Sequence, residues 1–99
     1  MIRNGMRPIH PGEILREEYL EPLEMSVNAL SKALHVPTTR MNEIVREKRG
    51  VTADTALRLA RYFGTSERFW LNLQTEFELR QAQISKATQV AKEIRPYAA

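Results

Sequence analysis

The sequence predicts an all-α fold, five helices built around a helix-turn-helix with a helical extension at the C-terminus. Three observations carry this expectation. Between Ser26 and Arg49, Leu30 and Leu34 lie one helical turn apart, Val36 follows a break, and Met41 and Ile44 are three apart, the pattern of two short helices joined by a tight turn. Prolines and a glycine fall where helices begin and end, with Pro11 and Pro37 at starts and Gly64 at a stop. From Trp70 onward, Leu73 and Phe77 and then Ile84, Ala87, Ala91 and Ile94 keep helical spacing almost to Pro96.

Composition narrows the function classes. Ninety-nine residues make one domain, long enough to bury a core without staples. The chain has no cysteine, which removes disulfides, thiolate metal sites and cysteine nucleophiles and suits a reducing cytoplasm. The start, MIRNGMRPIHPGE, holds no apolar run of signal-peptide length, and nothing approaches the roughly 20 apolar residues of a membrane span. The formal net charge is only +3, but residues 35–68 hold seven basic and four acidic side chains, against four and five in residues 1–34. The positive excess therefore sits on the second helix of the helix-turn-helix and on the residues just after it.

Taken in order, residues 1–9 lack periodicity and read as a flexible arm carrying Arg3 and Arg7. His10-Pro11-Gly12-Glu13 starts the first helix, with Ile14, Leu15 and Tyr19 on its apolar face and Pro22 expected to end it at or before Glu21. Glu13, Glu17 and Glu21 repeat every four residues as an outer face, either solvated surface or a dock for a basic partner. In the helix-turn-helix, Ala29, Ser31 and Ala33 supply the small side chains that closely crossing helices need. His35 stands where a left-handed residue should close the first helix, and Pro37 precedes a recognition helix over about 38–46. Thr52 caps the fourth helix, whose buried stripe reads as Ala53, Ala56, Leu57, Ala60 and Phe63, and Gly64 stops it. Thr65 or Ser66 caps the fifth. Residues 10–80 form the DNA-binding domain and 81–99 a helical tail, either a continuing helix or a segment that orders on a partner.

Turning Met41, Ile44 and Val45 inward, at about 100° per residue, leaves Thr39, Glu43 and Arg46 outward, flanked by Thr38, Arg40 and Asn42. Arginine forks onto guanine, asparagine onto adenine, glutamate accepts from cytosine, and threonine meets a thymine methyl. Base reading is accordingly assigned to Thr38, Thr39, Arg40, Asn42 and Glu43, with repulsion of wrong registers a second role open to Glu43. Phosphate contacts are assigned to Ser26, Asn28, Arg46, Lys48 and Arg49. An ordinary solvated helix face is the competing reading. The fifth helix is apolar on two sides, so Phe69, Trp70, Leu71, Leu73, Phe77 and Leu79 are assigned to a dimer interface, with a wholly intramolecular core as the alternative.

HPGEIL at His10 to Leu15, the span Leu30 to Ile44, TADTALRLARYFGT at Thr52 to Thr65 and FWLNLQ at Phe69 to Gln74 together resemble the HigA antitoxins, also called virulence-associated protein I. These belong to the Xre or lambda-repressor-like helix-turn-helix superfamily. The resemblance covers about residues 8–80. It implies a lambda-repressor-like domain, a homodimer that represses its own operator at an inverted repeat, and a HigB-type toxin partner that cleaves messenger RNA. Two departures stand out: His35 replaces the common glycine, and the tail after about Arg80 matches no family pattern.

Other classes stay open beside this one, namely a solitary regulator or a protein-interaction module that keeps the fold. An enzyme is not expected. His10 and His35 are the only histidines and neither has a second ligand at metal spacing, so no metal or cofactor is expected, and no glycine-rich phosphate loop is present.

Overall fold

The computed structural model describes residues 7–98, which form five helices and no strand. Helix α1 begins as Pro11–Ile14, widens into a π-helical stretch over Leu15–Leu20 and closes as Glu21–Leu23. Helices α2 (Val27–Leu34) and α3 (Thr38–Val45) make the helix-turn-helix, followed by α4 (Ala53–Phe63) and α5 (Glu67–Glu93). No helix among the described residues is long and apolar enough to cross a membrane.

Capping explains most boundaries. The hydroxyls of Ser26, Thr52 and Ser66 accept from the N–H groups of Ala29, Thr55 and Phe69, each satisfying a donor that the first helical turn leaves unpaired. His10 does the same for α1, its Nδ1 accepting from Gly12 N–H at 2.8 Å. At the C-terminal ends a left-handed residue turns the chain back onto its own carbonyls. Gly64 does so without steric cost, whereas Glu24, His35 and Glu47 do so with φ of 51°, 59° and 63°.

The core gathers Leu15, Leu20, Leu30, Leu34, Met41, Ile44, Val45, Val51, Ala56, Leu59, Ala60 and Trp70. Trp70 is its centre. Tyr19 and Phe69 pack on the indole at 5.2 and 4.9 Å between ring centroids, and the indole N–H donates to Thr65 Oγ1 at 2.8 Å. Helix α1 crosses α3 so closely that a Cβ on Gly12 would lie 1.9 Å from the Ile44 carbonyl oxygen. The absent side chain at this position is what lets the two backbones meet.

Several sequence expectations are corrected. Helix α1 runs through Pro22 to Leu23, because Glu21 N–H reaches back five residues to the Arg16 carbonyl. That widened step relieves the clash an interior proline makes with the carbonyl four residues earlier. The buried arc of α4 is Thr55, Ala56, Leu59 and Ala60, while Ala53 is exposed and Leu57 is 57% exposed. Of the three small residues of α2 only Ser31 is buried, its hydroxyl turned onto the Val27 carbonyl; Ala29 and Ala33 face solvent. Glu13 leaves the expected acidic outer face: it is 6% exposed, and its carboxylate takes two hydrogen bonds from Arg7 at 3.0 and 2.9 Å. Arg7 is thereby anchored rather than part of a loose arm. Residues 1–6 of that arm, with Arg3, lie outside the described residues.

Two of these features can be tested by substitution. Gly12→Ala should cost about 3 kcal/mol, since backbone and not a movable side chain blocks the new methyl, and a urea-unfolding midpoint measures it. His10 is buried, and burial holds its imidazole below the ordinary pKa of 6.5, so the unfolded chain binds a proton that the folded one refuses. This contribution to stability is complete above about pH 6.5 and is lost as the pH falls toward the lowered folded value. His10→Asn, which keeps a capping side chain, should flatten that acid limb in melts taken across pH 5 to 7.

Candidate nucleic-acid interface

Helix α3 is fixed from both ends and from below. Met41, Ile44 and Val45 are buried beneath it, as their spacing predicts. At its start Pro37 sits in extended geometry at the N-cap, and the Thr38 hydroxyl reaches Asn28 Oδ1 of α2 at 3.1 Å. At its end Arg16 of α1 donates to the Val45 carbonyl and pairs with Glu47 at 3.2 Å, covering carbonyls that a helix end leaves bare.

The turn before α3 is closed in the same way. His35 is left-handed, Val36 N–H donates back to the Ser31 carbonyl at 3.1 Å, and Arg58 of α4 donates to the Leu34 carbonyl at 2.9 Å. The departure from glycine at position 35 therefore leaves the turn geometry intact.

The solvent side of α3 shows where the assigned residues stand. Thr39, Asn42 and Arg46 are exposed, and Lys48 and Arg49 project from the following turn. Arg40 and Glu43 are half-buried and each is in an ion pair: Arg40 with Asp54 of α4 at 2.9 Å, Glu43 with Arg49 at 2.6 Å. Glu43 and Arg49, assigned separately to base and phosphate, thus sit side by side. Ser26 Oγ accepts from Ala29 N–H as the α2 cap, and the exposed hydroxyl keeps its own O–H as a donor at the helix start. Asp54 binds two guanidiniums, those of Arg58 and Arg40, which hold its carboxyl below the usual range.

The expected dimer face divides. Trp70 is fully buried in the chain's own core and cannot reach a partner. Leu71 and Leu73 pack partly against that core, and Phe77 lies edge-on to His10 at 4.7 Å. Phe69 and Leu79 remain exposed, and the same helix presents Ile84 and Val90 beyond them.

With this geometry in view, the helix-turn-helix family matches residues 17–70. Virulence-associated protein I of Dichelobacter nodosus is 62% identical over 85% of this chain and 78% of its own length. Antitoxin HigA of Pseudomonas aeruginosa, solved with the higBA promoter, is 52% identical with a TM-score of 0.89, covering 92% of this chain and 99% of that one. The chain belongs to the HigA family of helix-turn-helix antitoxins. A HigA-family addiction-module antidote protein from Coxiella burnetii superposes similarly, with a TM-score of 0.88 at 50% identity over 93% of this chain and all of that one. HigA proteins are DNA-binding proteins rather than enzymes, in agreement with the lack of catalytic groupings in the sequence.

The HigA fold also uses residues that sequence reasoning passed over. Arg16 reads as one cation among glutamates, yet it closes the recognition helix. Arg58 reads as an outer-face residue of α4, yet it closes the turn. Gln74 of the FWLNLQ run accepts from Val51 N–H at 2.7 Å and so holds the loop after α3. The only signal for the first was its isolation in an acidic segment.

Replacing His35 by glycine removes the left-handed strain of a side chain that is exposed. The variant should be more stable by roughly 0.5–1 kcal/mol, the strain relieved being partly offset by the freer unfolded chain, as read from the urea midpoint.

Proposed function

We propose that this chain is a homodimeric operator-binding antitoxin that represses its own promoter and neutralises a HigB-type, mRNA-cleaving toxin in the cytoplasm. The observation that carries the reading is the face of α3, where Thr39, Asn42 and Arg46 stand clear of the protein while Arg40 and Glu43 lie beside them on a helix clamped at both ends. Relatives solved on promoter or operator DNA support it. Thr38, Thr39, Arg40, Asn42 and Glu43 would face base edges, and Asn28, Arg46, Lys48 and Arg49, with the α2 start at Ser26, would face phosphates on either side.

The dimer is proposed to form through the exposed side of α5, with Phe69 and Leu79 in contact and Trp70 excluded. Two recognition helices related by a two-fold axis and about 34 Å apart would read half-sites one helical turn apart, so the operator is an inverted repeat.

The test is a salt-titrated binding assay against the DNA immediately upstream of the chain's own reading frame, with scrambled DNA as control. Binding at least about a hundredfold tighter than to scrambled DNA, two chains per site, is expected. Arg40→Ala should cost about 1–3 kcal/mol and relax discrimination at one base pair. Lys48→Ala should weaken all sequences alike and lower the salt slope by about one. Equal, weak binding of both duplexes would refute the repressor reading.

A further inference from the structure

Arg40 does not stand alone on the recognition helix. Its Nη1 donates to Asp54 Oδ2 at 2.9 Å, and the same oxygen accepts from Arg58 Nε at 3.0 Å. Arg58 in turn donates through Nη1 to the Leu34 carbonyl at 2.9 Å, at the turn between α2 and α3. A single chain of hydrogen bonds thus runs from the helix-turn-helix turn, through α4, to the side chain of Arg40. Among the described residues, Arg40 Nε and Nη2 donate to nothing.

We infer that Asp54 is a positioning residue for base recognition: it holds Arg40 by one corner of its guanidinium and presents the opposite edge to the DNA as a fixed two-donor fork. This rests on the proposal that Arg40 reads a base. The chemistry suits guanine, whose O6 and N7 accept from two adjacent arginine donors at once. An arginine on a flexible stem loses rotamer freedom when it docks on a base, and one already tethered loses less. The Asp54 charge acts in the same direction on the wrong DNA. A carboxylate touching two of the chain's cations offsets part of their attraction for any phosphate backbone, which is sequence-blind. Asp54 therefore favours the ratio of specific to non-specific binding on both counts, although it is far too exposed to touch a buried core, with its side chain 54% accessible.

The experiment compares the full chain with Asp54→Asn, Arg40→Ala and the double variant. Each is titrated against the upstream duplex, a set carrying single base-pair changes across one half-site, and scrambled DNA. Arg40→Ala identifies the base pair that Arg40 reads. Asp54→Asn should lose discrimination at that same base pair by about three- to tenfold, bind scrambled DNA equally or more tightly, and add nothing at that base pair in the Arg40→Ala background. Asp54→Ser, which also suits a helix start, repeats the measurement should the asparagine variant melt early. If Asp54→Asn weakens every duplex by one factor, or leaves discrimination at the Arg40 base pair unchanged, the positioning role is refuted while Arg40 keeps its own. If Arg40→Ala shows no single base pair at all, the base-reading assignment falls first and the role of Asp54 with it.

Discussion

The contact on which the structure depends is the meeting of α1 with the far end of α3. Gly12 lets the first turn of α1 lie against the Ile44 carbonyl, and one helical turn on, Arg16 takes the Val45 carbonyl. A helix of eight residues has little stability of its own, since forming its first turn costs more than its few hydrogen bonds return. Here it is held by packing beneath and by partners for its terminal carbonyls. His10 belongs to the same arrangement: buried, neutral and bonded to Gly12 N–H, it fixes the start of α1 and packs its ring at a steep angle against that of Phe77 of α5. The HPGE segment is thus a packing device joining three helices.

Recognition demands more than a well-placed helix, because arginine and glutamate carry flexible stems that wander in water. The protein restrains two of the proposed base readers in opposite ways. Arg40 is tied to a neighbouring helix, whereas Glu43 is tied to Arg49 in the turn just beyond its own helix. The first arrangement fixes direction. The second places a positive group beside a negative one on the face that would approach an anionic polymer, softening the repulsion that a bare carboxylate would bring.

Much of this architecture was legible in the sequence. Leu30, Leu34, Met41 and Ile44 declared the helix-turn-helix by spacing, and all four are buried. Thr52 and Gly64 declared helix ends by chemistry that acts within a few residues. Most of the failures share a physical cause, which is that the deciding partner lies outside the segment being read. Leu57 is apolar enough to join a stripe, but α4 packs on α2 and α5 along an arc centred near Ala56, Leu59 and Ala60, and Leu57 points about 120° from its middle. Trp70 read equally well as interface or core until Tyr19, Phe63 and Phe69 closed around it. Glu13 looked solvated because Arg7 lies in a segment with no periodicity to place it. The pairing of Arg40 with Asp54 joins residues on separate helices, and no local pattern announces it.

Helix α5 divides its labour along its length. Its first three turns supply Trp70, Leu71, Leu73, Gln74 and Phe77 to the body of the domain, whereas every residue from Gln81 to Glu93 is exposed. At 1.5 Å per residue the exposed part is a rod of about 20 Å, with Pro8 beside Gln81, Ile84 and Ser85 at its start. None of its residues belongs to the core, so a change in its length past Ser85 leaves the packing beneath the helix-turn-helix as it is.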